Sequence, residues 1–327
     1  MVCAAAGSDA AVRLMEIDPD TYRCHPVHAT DRVWAETNCY VDLWVEVLHA
    51  LGHNPIPAAA AVLSTDFDGR QWSFLKFAAE DLRLLYGIDV NELNIWQTVL
   101  EHAVQELQQG RLLTVEVDAF WLPDTAGTSY RTEHTKTTIV PNNIDAVAMT
   151  MEYFHNSGYY RLGGDDFRGV FRLGGVAPEV LLPYVEVVRL DRLHAPDAAA
   201  ELDLVREHLS RRPARNPVAA LAEGVRAALP SISASGLDSF HRWSFGVLRQ
   251  CGASAELGAD LSRHLDGRGV VGAAAAAESF HAVAQGAKSV QFRLARAARG
   301  RTVSVDQELS AMAAAWELAV QTLADSG

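Results

Sequence analysis

The sequence lacks the features that mark several common protein classes. Its four cysteines, Cys3, Cys24, Cys39 and Cys251, show no CxxC spacing, which argues against a zinc knuckle and a disulfide framework. No uncharged apolar stretch reaches membrane-spanning length, and no basic segment followed by a long apolar run indicates a signal peptide. We therefore expect a protein of the reducing cytoplasm with no membrane partner.

Positive charge is also scarce. The chain has 28 lysines and arginines against 41 acidic residues, a net charge of −13, which is a poor starting point for binding nucleic acid. The glycine-rich pieces have neither P-loop nor dinucleotide spacing, and the pair His49 and His53 lacks the glutamate of an HExxH site. We expect no cofactor of its own and no metal. The sequence does not indicate an oligomeric state.

What is present is an apolar fraction of 49% over 327 residues, enough for one large domain or two ordinary ones. Helical periodicity over Val90–Gln109 gives way to alternating β-rich runs, the first at Leu112–Asp118, and an alanine-rich helical region begins near residue 196. Glycine and proline residues divide that region into predicted helices, among them Pro217–Ala228 and Gly236–Gly252. Helices followed by a β meander predict an α+β fold with an antiparallel sheet. We place the domain boundary near 191–196, giving domains 1–195 and 196–327.

The stretch Thr37-Asn38-Cys39 and the apolar run after it are the most informative part of the chain. Asn38 is a good N-cap and Gly52 a good helix end, and apolar residues between them fall on one face of a half-buried helix. Cys39 then occupies the first turn, where the helix dipole favours a thiolate. The alternative is that Cys39 is a small buried hydrophobe.

A cysteine nucleophile needs a base and a group that orients the base. His134 opens a predicted strand and is the candidate base. Four residues near strand ends are candidates for the orienting group: Asp118, Asp145, His155 and Asn156. Because a hairpin partner strand ends beside the start of the first strand, His155 and Asn156 are expected near His134. In the alternative reading, His134 is a surface histidine, and His155 and Asn156 only terminate a strand.

The chain also resembles a known family along residues 36–172. The motifs are Asn38-Cys39…Leu51-Gly52, Val117-Asp118-x-Phe-Trp-Leu-Pro, Tyr130-x-x-x-His134 and Ile144-Asp145. They look like the N-terminal domain of the butirosin-type (BtrH-like) acyltransferases, which are similar in turn to papain-like peptidases. A closer likeness is to an uncharacterised bacterial family whose members occur near amino acid:carrier protein ligases. The resemblance implies a papain-like domain followed by an all-helical domain.

The resemblance also implies residue roles. Cys39 matches the nucleophile and His134 the base. For the third member we prefer Asn156, because a neutral amide orients the imidazole in papain, with Asp145 and Asp118 as rivals.

The remaining site residues concern the oxyanion and the substrate. The papain-type glutamine before the nucleophile is absent, so the oxyanion hole is expected from the Cys39 backbone N–H and the Asn38 side chain. The candidates for substrate contact are Asp118, Trp121, Tyr130 and His155. For the aromatic members the alternative is ordinary core packing.

The implied reaction is acyl transfer. A thioester on the phosphopantetheine arm of an aminoacyl carrier protein acylates Cys39, and the acyl group passes to a small-molecule or peptide amine. Two basic clusters are candidate docking sites for an acidic carrier, one around Arg211 and Arg212 and one from Lys288 to Arg301. The competing classes are a cysteine hydrolase that uses water and a non-catalytic binding protein in which Cys39 is structural.

Overall fold

The computed structural model describes residues 11–174 and 182–326. The chain divides into two compact units, here called the sheet unit and the helical unit. The sheet unit is drawn from the segments Met1–His25, Asp42–His53 and Tyr86–His194. The helical unit is drawn from the segments Pro26–Val41, Asn54–Leu85 and Ala195–Gly327. The helical unit therefore joins the C-terminal region to two segments from the first hundred residues.

The elements alternate irregularly along the chain. The strands are β1 Val12–Arg13, β2 Asp89–Glu92, β3 Leu112–Asp118, β4 Lys136–Asp145, β5 Thr150–His155, β6 Gly158–Gly163 and β7 Val185–Arg189. The α-helices are α1 Cys39–Ala50, α2 Ala79–Tyr86, α3 Val99–Gln108, α4 Asp165–Val170, α5 Ala198–Ser210, α6 Pro217–Ser244, α7 Gln250–Gly267, α8 Ala273–Ala297 and α9 Asp306–Ala324. The 3-10 helices are Pro26–His28, Ile56–Ser64, Ala119–Trp121 and Pro123–Thr125, and a π-helical turn covers Phe245–Arg249.

The sheet unit is built on one antiparallel sheet. Its strand order is β2-β7-β3-β4-β5-β6, and β1 pairs with β4. Strands β3 to β6 form the predicted meander, and β3 covers the predicted range Leu112–Asp118. Apolar residues of β3, β4 and β5 are buried, so the sheet lies in the core of this unit. The chain is thus α+β with an antiparallel sheet and a helical C-terminal region, as predicted.

Two helix predictions are wrong in instructive ways. The range Val90–Gln109 begins as strand β2, which pairs with β7, and helix α3 starts only at the N-cap Thr98, with the capping box to Glu101. Helix α1 is not half-buried, because its polar residues Asp42 and Glu46 are buried as well. Glu46 accepts hydrogen bonds from the Tyr22 hydroxyl and the His25 backbone N–H, which supplies the partners that a buried carboxylate requires.

The helical unit differs from its prediction at the joints between helices. Helix α6 continues past the predicted break and has non-helical backbone only at Gly236. Helix α7 runs through Gly252, where we predicted an end. A Cβ at Gly252 would lie 2.4 Å from Nε1 of Trp34. Gly252 therefore serves a close approach to the indole and does not stop the helix.

Candidate active site

His134 is held by Asp118 in the sheet unit. The β3–β4 ladder pairs Asp118 with Lys136, so His134, which precedes β4 by two residues, lies beside the end of β3. The Nδ1 atom of His134 is 2.6 Å from Oδ2 of Asp118. The imidazole side chain is 71% exposed. The carboxylate therefore takes one ring nitrogen and leaves Nε2 directed away from it, which is the arrangement a general base requires.

The second carboxylate oxygen of Asp118 has a separate structural role. Its Oδ1 accepts a hydrogen bond from the Phe120 backbone N–H at 3.1 Å and caps the 3-10 helix Ala119–Trp121. The Phe120 ring in turn stacks on the His134 imidazole with centroids 4.5 Å apart and an interplanar angle of 14°. The imidazole is thus fixed at its edge by a carboxylate and on one face by an aromatic ring.

The predicted substrate-contact residues Trp121 and Tyr130 belong to a neighbouring cluster around Arg131. The Arg131 guanidinium lies 4.4 Å from the Trp121 ring centroid and is ion-paired with Asp166. The Tyr130 hydroxyl donates to the same carboxylate at 2.9 Å. Arg131 has a positive φ of 57°, a conformation that side chains other than glycine rarely adopt and that concentrates at functional sites.

His155 is buried, and both of its ring nitrogens are hydrogen-bonded within the protein. Its side chain is 1% exposed. Nδ1 contacts Oδ2 of Asp124 at 2.5 Å, and Nε2 contacts the Thr137 hydroxyl at 2.7 Å. Asp124 also accepts from the Tyr153 hydroxyl, and burial together with this carboxylate raises the pKa of Tyr153, which keeps it a proton donor. Both ring nitrogens are committed to this internal network, and substrate contact by His155 stays a prediction.

Asn156 and Asp145 both occupy turns. Asn156 follows β5 in the two-residue β5–β6 turn with a φ of 46°, the left-handed conformation in which asparagine is favoured. Asp145 lies at the far end of β4, where its Oδ1 accepts from the backbone N–H groups of Val147 and Ala148. Strand β4 is 10 residues long, about 30 Å at roughly 3.3 Å per residue. The structure therefore does not bring Asp145 to His134, and Asp118 is the group that contacts the imidazole.

Cys39 lies at the first position of α1, in the helical unit, and is half-buried and not in a disulfide. The Asn38 side-chain oxygen accepts from the Tyr40 and Val41 backbone N–H groups, each at 3.0 Å. This confirms Asn38 as the N-cap. Its amide nitrogen donates to the Leu75 carbonyl and to Gln250. Both hydrogens of the Asn38 amide are therefore used within the protein, and its role in an oxyanion hole stays a prediction.

Sequence reasoning missed two residues that these contacts make prominent. Asp124 follows Leu-Pro in the motif of Asp118, and its only sequence signal was an acidic residue after a proline turn. Gln250 lies more than two hundred positions from Asn38, so no local spacing connects them. In the described part of the chain no three His, Cys, Asp or Glu side chains group as metal ligands. Among the helices of those same residues, none is long and apolar enough to cross a bilayer.

The chain matches a two-domain family over most of its length. The DUF1839 N-terminal domain matches residues 23–190, and the DUF1839 C-terminal domain matches residues 194–325. No curated protein matches the chain. The chain therefore belongs to the DUF1839 family.

Proposed function

We propose that this protein is a cysteine-dependent acyltransferase of papain-like type. Cys39 takes an (amino)acyl group from the thioester of a phosphopantetheinyl carrier protein and passes it to an amine in a biosynthetic pathway. The observation that supports the proposal most is the Asp118–His134 pair, an exposed imidazole held by a carboxylate through one nitrogen only. The buried His155, by contrast, uses both ring nitrogens in hydrogen bonds within the protein.

The chemistry follows from the tautomer that Asp118 selects. With Nδ1–H donated to the carboxylate, the neutral ring has its lone pair on Nε2 and accepts a proton there. After protonation the same carboxylate stabilises the imidazolium. This is the behaviour required of a base that must take up and return one proton in each half of a transfer reaction.

Cys39 supplies the nucleophile in this proposal. Its position at the start of a capped helix favours the thiolate, because the helix N-terminus carries partial positive charge. Cys39 is half-buried, whereas Cys24 is exposed and Cys251 is buried. We propose that the thiolate of Cys39 and the imidazole of His134 act as a pair in the folded protein, as in papain-like enzymes.

The proposed reaction has two balanced steps. The Cys39 thiolate attacks the thioester carbonyl, and the phosphopantetheine thiolate leaves and takes a proton from the His134 imidazolium. An amine then attacks the new Cys39 thioester, His134 accepts the proton that the amine loses, and the Cys39 thiolate departs as the amide forms. The oxyanion of each tetrahedral intermediate is stabilised by the Cys39 backbone N–H at the start of α1.

The carrier protein requires a basic surface, and the C-terminal end of α8 offers one. Arg296, Arg299 and Arg301 are exposed and form no ion pair among the described residues, whereas Arg293 is paired with Glu308. Charge complementarity with an acidic carrier supports this end as the docking site. The double substitution Arg296→Glu and Arg299→Glu is expected to raise KM for a carrier-bound thioester and to leave that for the small thioester of N-acetylcysteamine unchanged.

The direct experiment uses a panel of aminoacyl-carrier proteins and the intact mass of the enzyme. Wild-type protein is expected to gain the mass of the acyl group in the absence of an amine and to lose it when an amine is added. Cys39→Ala is expected to gain nothing, while Cys24→Ala serves as the matched control and behaves as wild type. Absence of an adduct across the panel, or an adduct that persists in Cys39→Ala, contradicts the proposal.

A hydrolase that uses the same residues is the second candidate. The observation that favours it is the exposure of the His134 imidazole, which gives water as well as an amine access to the base. Product analysis separates the two functions. Free acid formed at the same rate with and without amine indicates hydrolysis, and amide formed in proportion to the amine indicates transfer.

A further inference from the structure

The residues before Cys39 are held by the C-terminal part of the chain, entirely within the helical unit. Gln250, the first residue of α7, is buried. Its amide nitrogen donates to the Thr37 carbonyl at 3.1 Å, and its amide oxygen accepts from the Asn38 amide at 3.3 Å. One side chain thus contacts both residues that precede the cysteine.

Asn38 links Gln250 to the first turn of α1. The same side chain that donates to Gln250 accepts from the second and third backbone N–H groups of α1. Gln250 therefore fixes the rotamer of the cap, and the cap fixes the first turn of the helix that carries Cys39. Since both polar ends of Gln250 are used, it acts on the cysteine through Asn38 and is a positioning residue.

Further contacts fix the segment upstream of Thr37. The Glu256 carboxylate accepts from the Val33 backbone N–H at 3.3 Å and from the Trp34 backbone N–H. Arg249 forms an ion pair with Glu36 at 3.1 Å. Arg249 is the last residue of the π-helical turn Phe245–Arg249, which ends immediately before Gln250. Single π-helical turns within helices occur frequently at functional sites, and this one supplies Arg249 and ends directly before Gln250.

We infer that Gln250, a residue of the DUF1839 C-terminal domain, positions the Cys39 thiol through Asn38, so that the helical C-terminal domain forms part of the nucleophile's support. This inference rests on the proposed function of Cys39. It assigns the C-terminal domain a role beyond carrier docking, because a side chain of that domain holds the residue that caps α1.

The test is the rate at which iodoacetamide alkylates Cys39, read by peptide mapping, in Gln250→Met. Methionine matches glutamine in length and removes both hydrogen bonds. Loss of an ordered cap is expected to lower the rate at pH 7 roughly fivefold, in line with a cap contribution of the usual size. Gln291→Met is the matched control, since Gln291 is a hydrogen-bonded glutamine of the same unit that contacts Ser244. It is expected to alkylate as wild type.

A double-mutant cycle with Asn38→Ala separates positioning from a general structural effect. If Gln250 acts through Asn38, adding Gln250→Met to Asn38→Ala changes the alkylation rate less than twofold. If Gln250→Met does not fold, Gln250→Asn replaces it, because the shorter amide does not reach both Thr37 and Asn38. Unchanged alkylation in a folded Gln250 variant, or effects that multiply in the double mutant, overturns the inference.

The alkylation assay uses no thioester, so the two proposals fail separately. An enzyme that forms no acyl adduct but shows the expected alkylation pattern contradicts the acyl transfer and supports the positioning. An enzyme that forms the adduct while Gln250→Met alkylates normally supports the transfer and overturns the positioning.

Discussion

Replacing Asp118 with asparagine tests the base most sharply, because the two oxygens of this carboxylate have different partners. Asparagine retains an oxygen that accepts from the Phe120 backbone N–H, so the 3-10 helix keeps its cap. The other position becomes an NH₂ group, which does not accept the Nδ1–H of His134. The imidazole is then expected to adopt the other tautomer, with Nε2 protonated and no longer able to act as a base.

The expected size of each effect follows from the two roles of Asp118, which contacts His134 and caps the 3-10 helix. General base catalysis is typically worth about 10²–10⁴-fold, so acyl transfer is expected to fall by that factor, equivalent to about 3–5 kcal/mol of transition-state stabilisation. The free energy of unfolding is expected to change by less than about 1 kcal/mol, because an exposed pair of side chains contributes little. Asp118→Ala removes the cap as well and is expected to cost about 1 kcal/mol more.

The assay combines single-turnover transfer from an aminoacyl N-acetylcysteamine thioester with urea denaturation. The matched control is Glu116→Gln, which breaks the Glu116–Lys136 ion pair two positions earlier on β3 and is expected to leave the rate within twofold. Either of two results would refute the role of the Asp118–His134 pair. A full rate in Asp118→Asn shows that His134 needs no carboxylate, and an equal loss in Glu116→Gln shows that the effect is not specific.

Three further predictions concern other residues. At pH 7 iodoacetamide should label Cys39 before Cys24, because burial and the nearby Glu46 raise the pKa of Cys24. Cys251 should stay unlabelled until the protein unfolds, because burial raises its pKa. Peptide mapping gives the order of labelling, and labelling of Cys24 first contradicts the prediction. Asn156→Gly should change the free energy of unfolding by less than about 0.5 kcal/mol, because glycine accepts the same positive φ. The transfer rate should be unchanged. A folded but inactive variant would instead indicate that Asn156 is catalytic. Asp124→Asn should lower the free energy of unfolding by roughly 1–3 kcal/mol, because the amide does not accept from both the Tyr153 hydroxyl and His155 Nδ1, which leaves a buried polar group unsatisfied. No measurable loss in urea denaturation contradicts the importance of that network.

The sheet was predictable because its signals are local. Period-two alternation over Leu112–Asp118 and closely spaced strands suffice to predict a meander, and the structure has β3 to β6 in that order. Strand β2 was missed because its residues continue into the periodic pattern of α3, and only pairing with β7, almost a hundred residues later, distinguishes them. Tertiary pairing overrode local propensity at that point.

The candidate site was predictable in its residue types and not in its pairings. Asp118, Asp145, His155 and Asn156 all follow or end strands, and the sequence alone does not rank them as partners of His134. Strand register decides, because it brings Asp118 beside the start of β4 and separates Asp145 from it by the length of that strand. Likewise the periodicity of α1 does not show that its polar face is buried, since the donors to Glu46 come from Tyr22 and His25, outside the helix.

The claim that Cys39 and His134 act as a pair is tested most directly by chemical cross-linking with 1,3-dibromoacetone. This reagent alkylates a thiolate first and then a nucleophile within the reach of its three-carbon bridge. We expect one linked product that joins the Cys39 and His134 peptides, and we expect it to vanish in His134→Ala while Cys39 is still alkylated. A Cys39 adduct in the wild type whose second arm is hydrolysed, or is joined to any residue other than His134, contradicts the pairing.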